Sequence, residues 1–232
     1  MPPQHPNRVL ASITIPDTPT ITAAISYAHT NLSPQTFNHI MRSWLIGAAS
    51  LSHLPSSLTQ HIDAEIFAVS AILHDLGWSH NPDLISTDKR FEVDGANAAR
   101  DFLRTQGWSA DRCQGVWDAI ALHTIPSIAC HSTPTTALVS ASVMTELISP
   151  DVSSNILGET FVGATQDQWD EINAAFPREG WKEHLHETLV GLCRDKPEGC
   201  WGTWVAGFGE RHLEGWEDKA KGVDLISGLT RE

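Results

Sequence analysis

Residues 63–77 read DAEIFAVSAILHDLG, and this stretch decides the fold class. Asp63 is a helix-capping residue type, the run after it is strongly apolar, and Gly77 can end a helix in a left-handed conformation. His74 and Asp75 then fall in the last helical turn. Neighbours on a helix point about 100° apart, so the two side chains cannot share a face. They can still converge on one ion beyond the helix end. The apolar run argues against a solvated pair, and a buried carboxylate without a partner is costly unless something such as a metal compensates it. By itself the doublet is also explained by a capping Asp with a His bonded to a last-turn carbonyl.

Helical signals continue on both sides. Ser33-Pro34 supplies a hydroxyl cap and a proline at the first helical position. Phe37, Met41, Trp44, Leu45, Ala48 and Leu51 follow at three- and four-residue spacings, with His39 in the first two turns. Residues 21–32 predict a short helix, and residues 1–20, rich in Pro and Thr, an irregular arm. After a polar loop (78–88), helices are predicted in FEVDGANAARDFLRTQG, ending at Gly107, and in DRCQGVWDAIALHT (111–124). Pro134 opens another, and QDQWDEINAAF and REGWKEHLHETLVGLCRD lead into a Trp-rich tail. Convincing alternating strands are not seen. The expected class is all-α, with one helical domain over 21–232.

Bulk properties narrow the function. The 232 residues carry 28 acidic and 15 basic side chains, a net charge of −13. That argues against a nucleic-acid backbone as main partner, which would need a basic face. No run approaches the roughly 18 apolar residues of a membrane helix, and MPPQHPNRVL lacks the features of a secretory signal. A soluble, cytoplasmic protein with a small-molecule substrate and no membrane partner is expected; a homo-oligomer is allowed. Cys113, Cys130, Cys193 and Cys200 show no CxxC spacing and read as reduced, mostly buried thiols. Twelve His raise the prior for a metal or acid–base site.

The other candidates lie around the doublet. His39 stands in FNHIMRSWLIG, Glu92 and Asp94 in KRFEVDGA, His123 in AIALHTIPS and Glu146 in SVMTELISP. In type and order these resemble the HD superfamily, whose metal is held by a His, a His-Asp doublet and a later Asp, each from a different helix. The similarity covers about residues 30–150 and is closest to the fungal branch that includes cyanamide hydratase. It implies an HD-domain helical bundle with additional C-terminal helices (165–232). It also implies His39, His74 and Asp75 as metal ligands. The late acid would be Glu146, a departure from Asp that leaves open whether Glu146, His123 or water completes the shell. A mixed His and carboxylate set suits one divalent transition ion, Zn, Fe(II) or Mn(II).

A divalent ion with an open position generates a nucleophilic hydroxide at neutral pH. Glu92 is the candidate acid/base or ligand-orienting group, with Asp94 a weaker one; both are equally readable as helix-start carboxylates. His123 is a fourth ligand or a group over the open position. Arg42 binds an anionic substrate or pairs with a carboxylate. His131, His184 and His186 read as ordinary residues, and Trp201, Trp204 and Phe208 as packing or as walls of a small pocket. The resemblance implies a hydratase adding water to a small nitrile-like substrate, cyanamide giving urea. The rivals are an HD phosphohydrolase, which needs cations for the phosphoryl oxygens, and a non-catalytic HD module that binds metal or ligand.

Overall fold

The computed structural model of the protein describes residues 5–158 and 160–229. The chain starts as a hairpin of β1 (Asn7–Leu10) and β2 (Ile13–Pro16), antiparallel with Leu10 opposite Ile13. Helices follow: α1 (Pro19–Asn31), α2 (Pro34–Leu51), a short α3 (Ser56–Thr59), α4 (Ala64–Leu73), α5 (Phe91–Thr105) and α6 (Ala110–Leu122). Then come a short α7 (Pro126–Ala129), α8 (Pro134–Ile148), α9 (Pro150–Leu157), α10 (Gln166–Ala175), α11 (Trp181–Asp195), α12 (Ala206–His212) and α13 (Gly222–Leu229). The fold is all-α, and the hairpin is the one sheet among the described residues. None of the described helices is long and apolar enough to cross a membrane.

Local chemistry sets the helix starts. Ser33 Oγ accepts from the Thr36 amide, and Asp63 Oδ1 accepts from the amides of Glu65 and Ile66. Thr133 caps α8 in the same way. Helix α4 is the axis of the bundle: it is apolar on every side and packs against α1, α2, α6 and α8. A helix of that kind is stable only when surrounded. Gly47 lets α2 come close, because a Cβ there would lie 2.4 Å from the Phe67 ring.

Two expectations are corrected. The arm over 1–20 is not irregular: from Asn7 to Pro16 it is a hairpin whose Ile13 and Ile15 side chains are buried against the bundle. Its turn residues Ala11 and Ser12 adopt φ of 46° and 61°, the conformation of a type I′ turn, without the Asn-Gly signature that usually announces one. Helix α4 also ends earlier than expected, at Leu73. His74 is its C-cap, Asp75 leaves helical geometry at φ −102°, ψ 20°, and a single 3-10 turn (Leu76–Trp78) follows. Gly77 does not take a positive φ.

The C-terminal helices form a smaller apolar cluster. Leu189, Cys193, Cys200 and Val205 pack with Phe91 at the start of α5, and Trp78 and Phe208 flank them. Lys196 fastens this part to the bundle, its Nζ donating to Asp94 Oδ2 at 2.6 Å. All four cysteines are free, and Cys113, Cys193 and Cys200 are buried.

What Gly77 provides is space. A Cβ there would stand 1.9 Å from the Phe91 carbonyl oxygen, where the 3-10 turn crosses the start of α5. Gly77→Ala is therefore expected to destabilise the protein by about 1–3 kcal/mol, as overpacking does. Urea unfolding measures this; an unchanged midpoint would show that the crossing can relax.

Candidate metal centre

His39 projects from α2, and His74 and Asp75 from the break that ends α4; all three are buried. His39 Nε2 lies 3.2 Å from His74 Nε2 and 3.4 Å from Asp75 Oδ2, and His74 Nε2 lies 3.1 Å from the same oxygen. The early end of α4 makes this convergence possible, since a continued helix would splay the doublet. Among the described residues these three form the one group of three or more His, Cys, Asp or Glu whose ligand atoms lie within 4.8 Å of one another.

The opposite ring nitrogens decide the chemistry. His74 Nδ1 is 2.8 Å from the Ala71 carbonyl, and His123 Nδ1 is 2.6 Å from that of Ile120. A carbonyl only accepts, so each Nδ1 carries the proton and directs Nε2 inward. His39 Nδ1 faces Glu146 Oε2 at 2.6 Å with the same consequence. Metal-bound histidines are oriented in this way, by a carboxylate or carbonyl behind the ring.

Asp75 supplies the test of fit. Its carboxylate is 1% exposed, and neither oxygen accepts a hydrogen bond. Burial opposes its ionisation, but His74, His39 and His123 outweigh burial and hold its pKa below the usual range. Burial also opposes a charge on His74, yet Asp75 raises that imidazole's pKa. A field that draws a proton to His74 also favours a divalent cation at the same point, and the donor set of two imidazoles and a carboxylate suits a transition ion.

Glu146, expected among the ligands, stands behind His39 instead. Oε2 is engaged with His39 Nδ1, and Oε1 accepts from Arg42 Nε and Arg178 Nη1, each at 2.6 Å. Burial would raise its pKa, but His39 and the two arginines bring it down to about 2. Arg42, expected to bind substrate, is fully buried in this network and also donates to the Phe176 and Pro177 carbonyls. Asp94, a candidate acid/base, has both oxygens occupied by Ser86 and Lys196, so it ties the 78–88 loop and the C-terminal segment together.

Glu92 and His123 lie nearer the reaction space. His123 Nε2 is 3.8 Å from Asp75 Oδ1, and burial followed by the His74 charge lowers its pKa to about 4, so it is neutral at pH 7. Burial pushes the Glu92 pKa up, but Arg90 and Thr124 outweigh it. The resulting carboxylate accepts from Thr124 Oγ1 at 2.6 Å and from Arg90.

A cavity of about 110 Å³ adjoins the cluster. His39, His74, Asp75, His123 and Thr124 line one side, and Trp78, Phe91, Leu185, Leu189, Trp204 and Phe208 are among the apolar residues of the other. Trp204 and Phe208 thus wall the pocket, as one of the two readings of the tail has it. Arg178, Thr124, Leu185 and Trp181, which stacks on His39 at 4.4 Å, were not singled out from sequence. His131 is exposed, and His184 bonds Ser33 and Thr36.

Glu146→Gln removes the charge behind His39 while leaving the three converging residues in place. Metal affinity measured by chelator competition is expected to fall about 10–100-fold, the usual effect of losing a ligand's orienting partner. Asp75→Asn and His39→Ala should abolish stoichiometric metal. Unchanged affinity in Glu146→Gln would show that the carboxylate serves the arginines alone.

Residues 36–146 match the family model described as HD domain. No curated protein matches the chain. The match runs from the first turn of α2 to Glu146 and contains the whole cluster, while Leu185, Leu189, Trp204 and Phe208 lie beyond it. Taken with the His39, His74 and Asp75 group, it supports membership of the HD-domain superfamily and points to metal-dependent, hydrolase-type chemistry.

Proposed function

We propose that the protein is a metal-dependent hydratase of small neutral nitrile-like molecules, with cyanamide as the model substrate and urea as its product. The observation that carries this reading is the cavity: about 110 Å³, beside His39, His74 and Asp75, with no Lys or Arg in its lining. Such a space suits a molecule of a few heavy atoms. Four cations of the surrounding network are engaged with carboxylates: Arg42 and Arg178 with Glu146, Arg90 with Glu92, and Lys196 with Asp94. A phosphoryl group would find no cationic partner here.

A divalent ion held by the three residues supplies an acidified water and Lewis-acid polarisation. The chain's own groups do the rest. His123, neutral and with Nε2 free, takes the proton that the water releases as its oxygen adds to the nitrile carbon. It then returns that proton to the nitrile nitrogen. The adduct is isourea, whose remaining O–H proton then passes to the same nitrogen to give urea; nothing leaves, so water and cyanamide account for all its atoms. Thr124 donates its hydroxyl hydrogen to Glu92, which leaves its oxygen lone pairs for a substrate N–H. Glu92 thus acts as an acceptor holding Thr124.

The metal-loaded protein is expected to form urea from cyanamide and to release no phosphate from nucleotides or phosphodiesters. His123→Ala should keep its metal and lose about 10²–10⁴-fold in kcat, the usual contribution of a positioned acid–base group. Phosphate release without hydration would establish the phosphohydrolase instead. A protein unable to take up stoichiometric metal would be a binding module.

A further inference from the structure

The cavity wall carries a second histidine pair on its outer side. Helix α11 turns Leu185 and Leu189 toward the cavity, and His186, about 100° further round, is exposed. Helix α12 turns Phe208 inward, and His212, one turn on, is also exposed. The two imidazoles meet with Nε2 atoms 3.2 Å apart, ring centroids 4.4 Å apart and planes at 81°. The Phe208 ring backs both, at 6.1 Å from His186 and 6.4 Å from His212.

This separation matches that of a chelating pair. Two imidazole nitrogens bound at ~2.0–2.1 Å to one tetrahedral ion lie about 3.3 Å apart. His39 and His74, in the buried cluster, show the same 3.2 Å between Nε2 atoms. The pair joins two helices across 26 residues of sequence, so the tertiary fold brings the nitrogens together.

We propose that His186 and His212 form a second, exposed transition-metal site, with water completing the coordination. Imidazole pairs favour Zn(II), Cu(II) and Ni(II) over Mg(II) or Ca(II), and the net charge of −13 draws cations to the molecule. An ion there staples α11 to α12 over the outside of the cavity wall. The site is independent of the reaction assigned to the cavity.

The test uses protein already carrying its buried metal. Equilibrium dialysis against free Zn(II) is expected to load one further equivalent on the wild type. His186→Ala and His212→Ala should each bind that equivalent at least tenfold more weakly, with the buried metal retained. Hydrogen exchange of residues 181–216 should slow on Zn(II) addition in the wild type and not in either variant. Absence of a second equivalent from the wild type would reduce the pair to a hydrogen bond between two imidazoles. Its persistence in both variants would place the ion elsewhere. Either result overturns the proposal.

Discussion

Asp75 sits in the interior of a helical bundle with neither carboxylate oxygen accepting a hydrogen bond, and three imidazoles stand around it. A buried charge left in that condition costs several kcal/mol, so the surroundings must answer it. The answer is distributed over the fold. Helix α4 stops at Leu73 so that His74 and Asp75 face one point, and α2 approaches closely at Gly47, bringing His39 across. The end of α6 presents His123, and every inward imidazole is held by an acceptor at its other nitrogen. A single cation would satisfy two lone pairs and a carboxylate together.

The two buried carboxylates divide the work. Asp75 is left open, whereas Glu146 has its oxygens taken up by His39, Arg42 and Arg178. Glu146 therefore fixes the His39 ring and joins α2 to the chain that leads into α11. Two arginines are not excessive there, because burial penalises the charges of Glu146 and Arg42 and the carboxylate must also hold the imidazole N–H. Burial lowers the Arg42 pKa and Glu146 counteracts it, so the pair is balanced within the core and unavailable to a ligand.

The legibility of the site in sequence follows this division. Residues that converge on one point are visible because His-Asp after an apolar helix, with a His on the preceding amphipathic helix, is a donor set of metal-ligand type. Residues that support them are not. Glu146, Arg42 and Asp94 have the right type to act at the centre, and sequence records type without the direction in which the side chain points. The hairpin escaped because a turn built from Ala11 and Ser12 carries no local signal, although Ile13 and Ile15 alternate as a half-buried strand should. The helix starts were legible because capping is local, settled within three residues of Ser33, Asp63 and Thr133.

The boundary of the HD match separates two kinds of information. Inside residues 36–146 lie the ligand-type residues and the acceptors at His74 and His123, a set that can serve any reaction needing an activated water. Outside lie Trp204, Phe208, Leu185 and Leu189, which line the cavity beside it. Size and charge exclusion need no specific contact. Under the proposed function, an apolar wall that leaves about 110 Å³ would disfavour a nucleotide by volume, and any phosphate by the cost of stripping its hydration without a compensating cation. The Asp94–Lys196 ion pair holds this wall to the bundle through α5. Under that function, substrate choice would thus be a property of how the C-terminal helices dock beside the His39, His74 and Asp75 cluster.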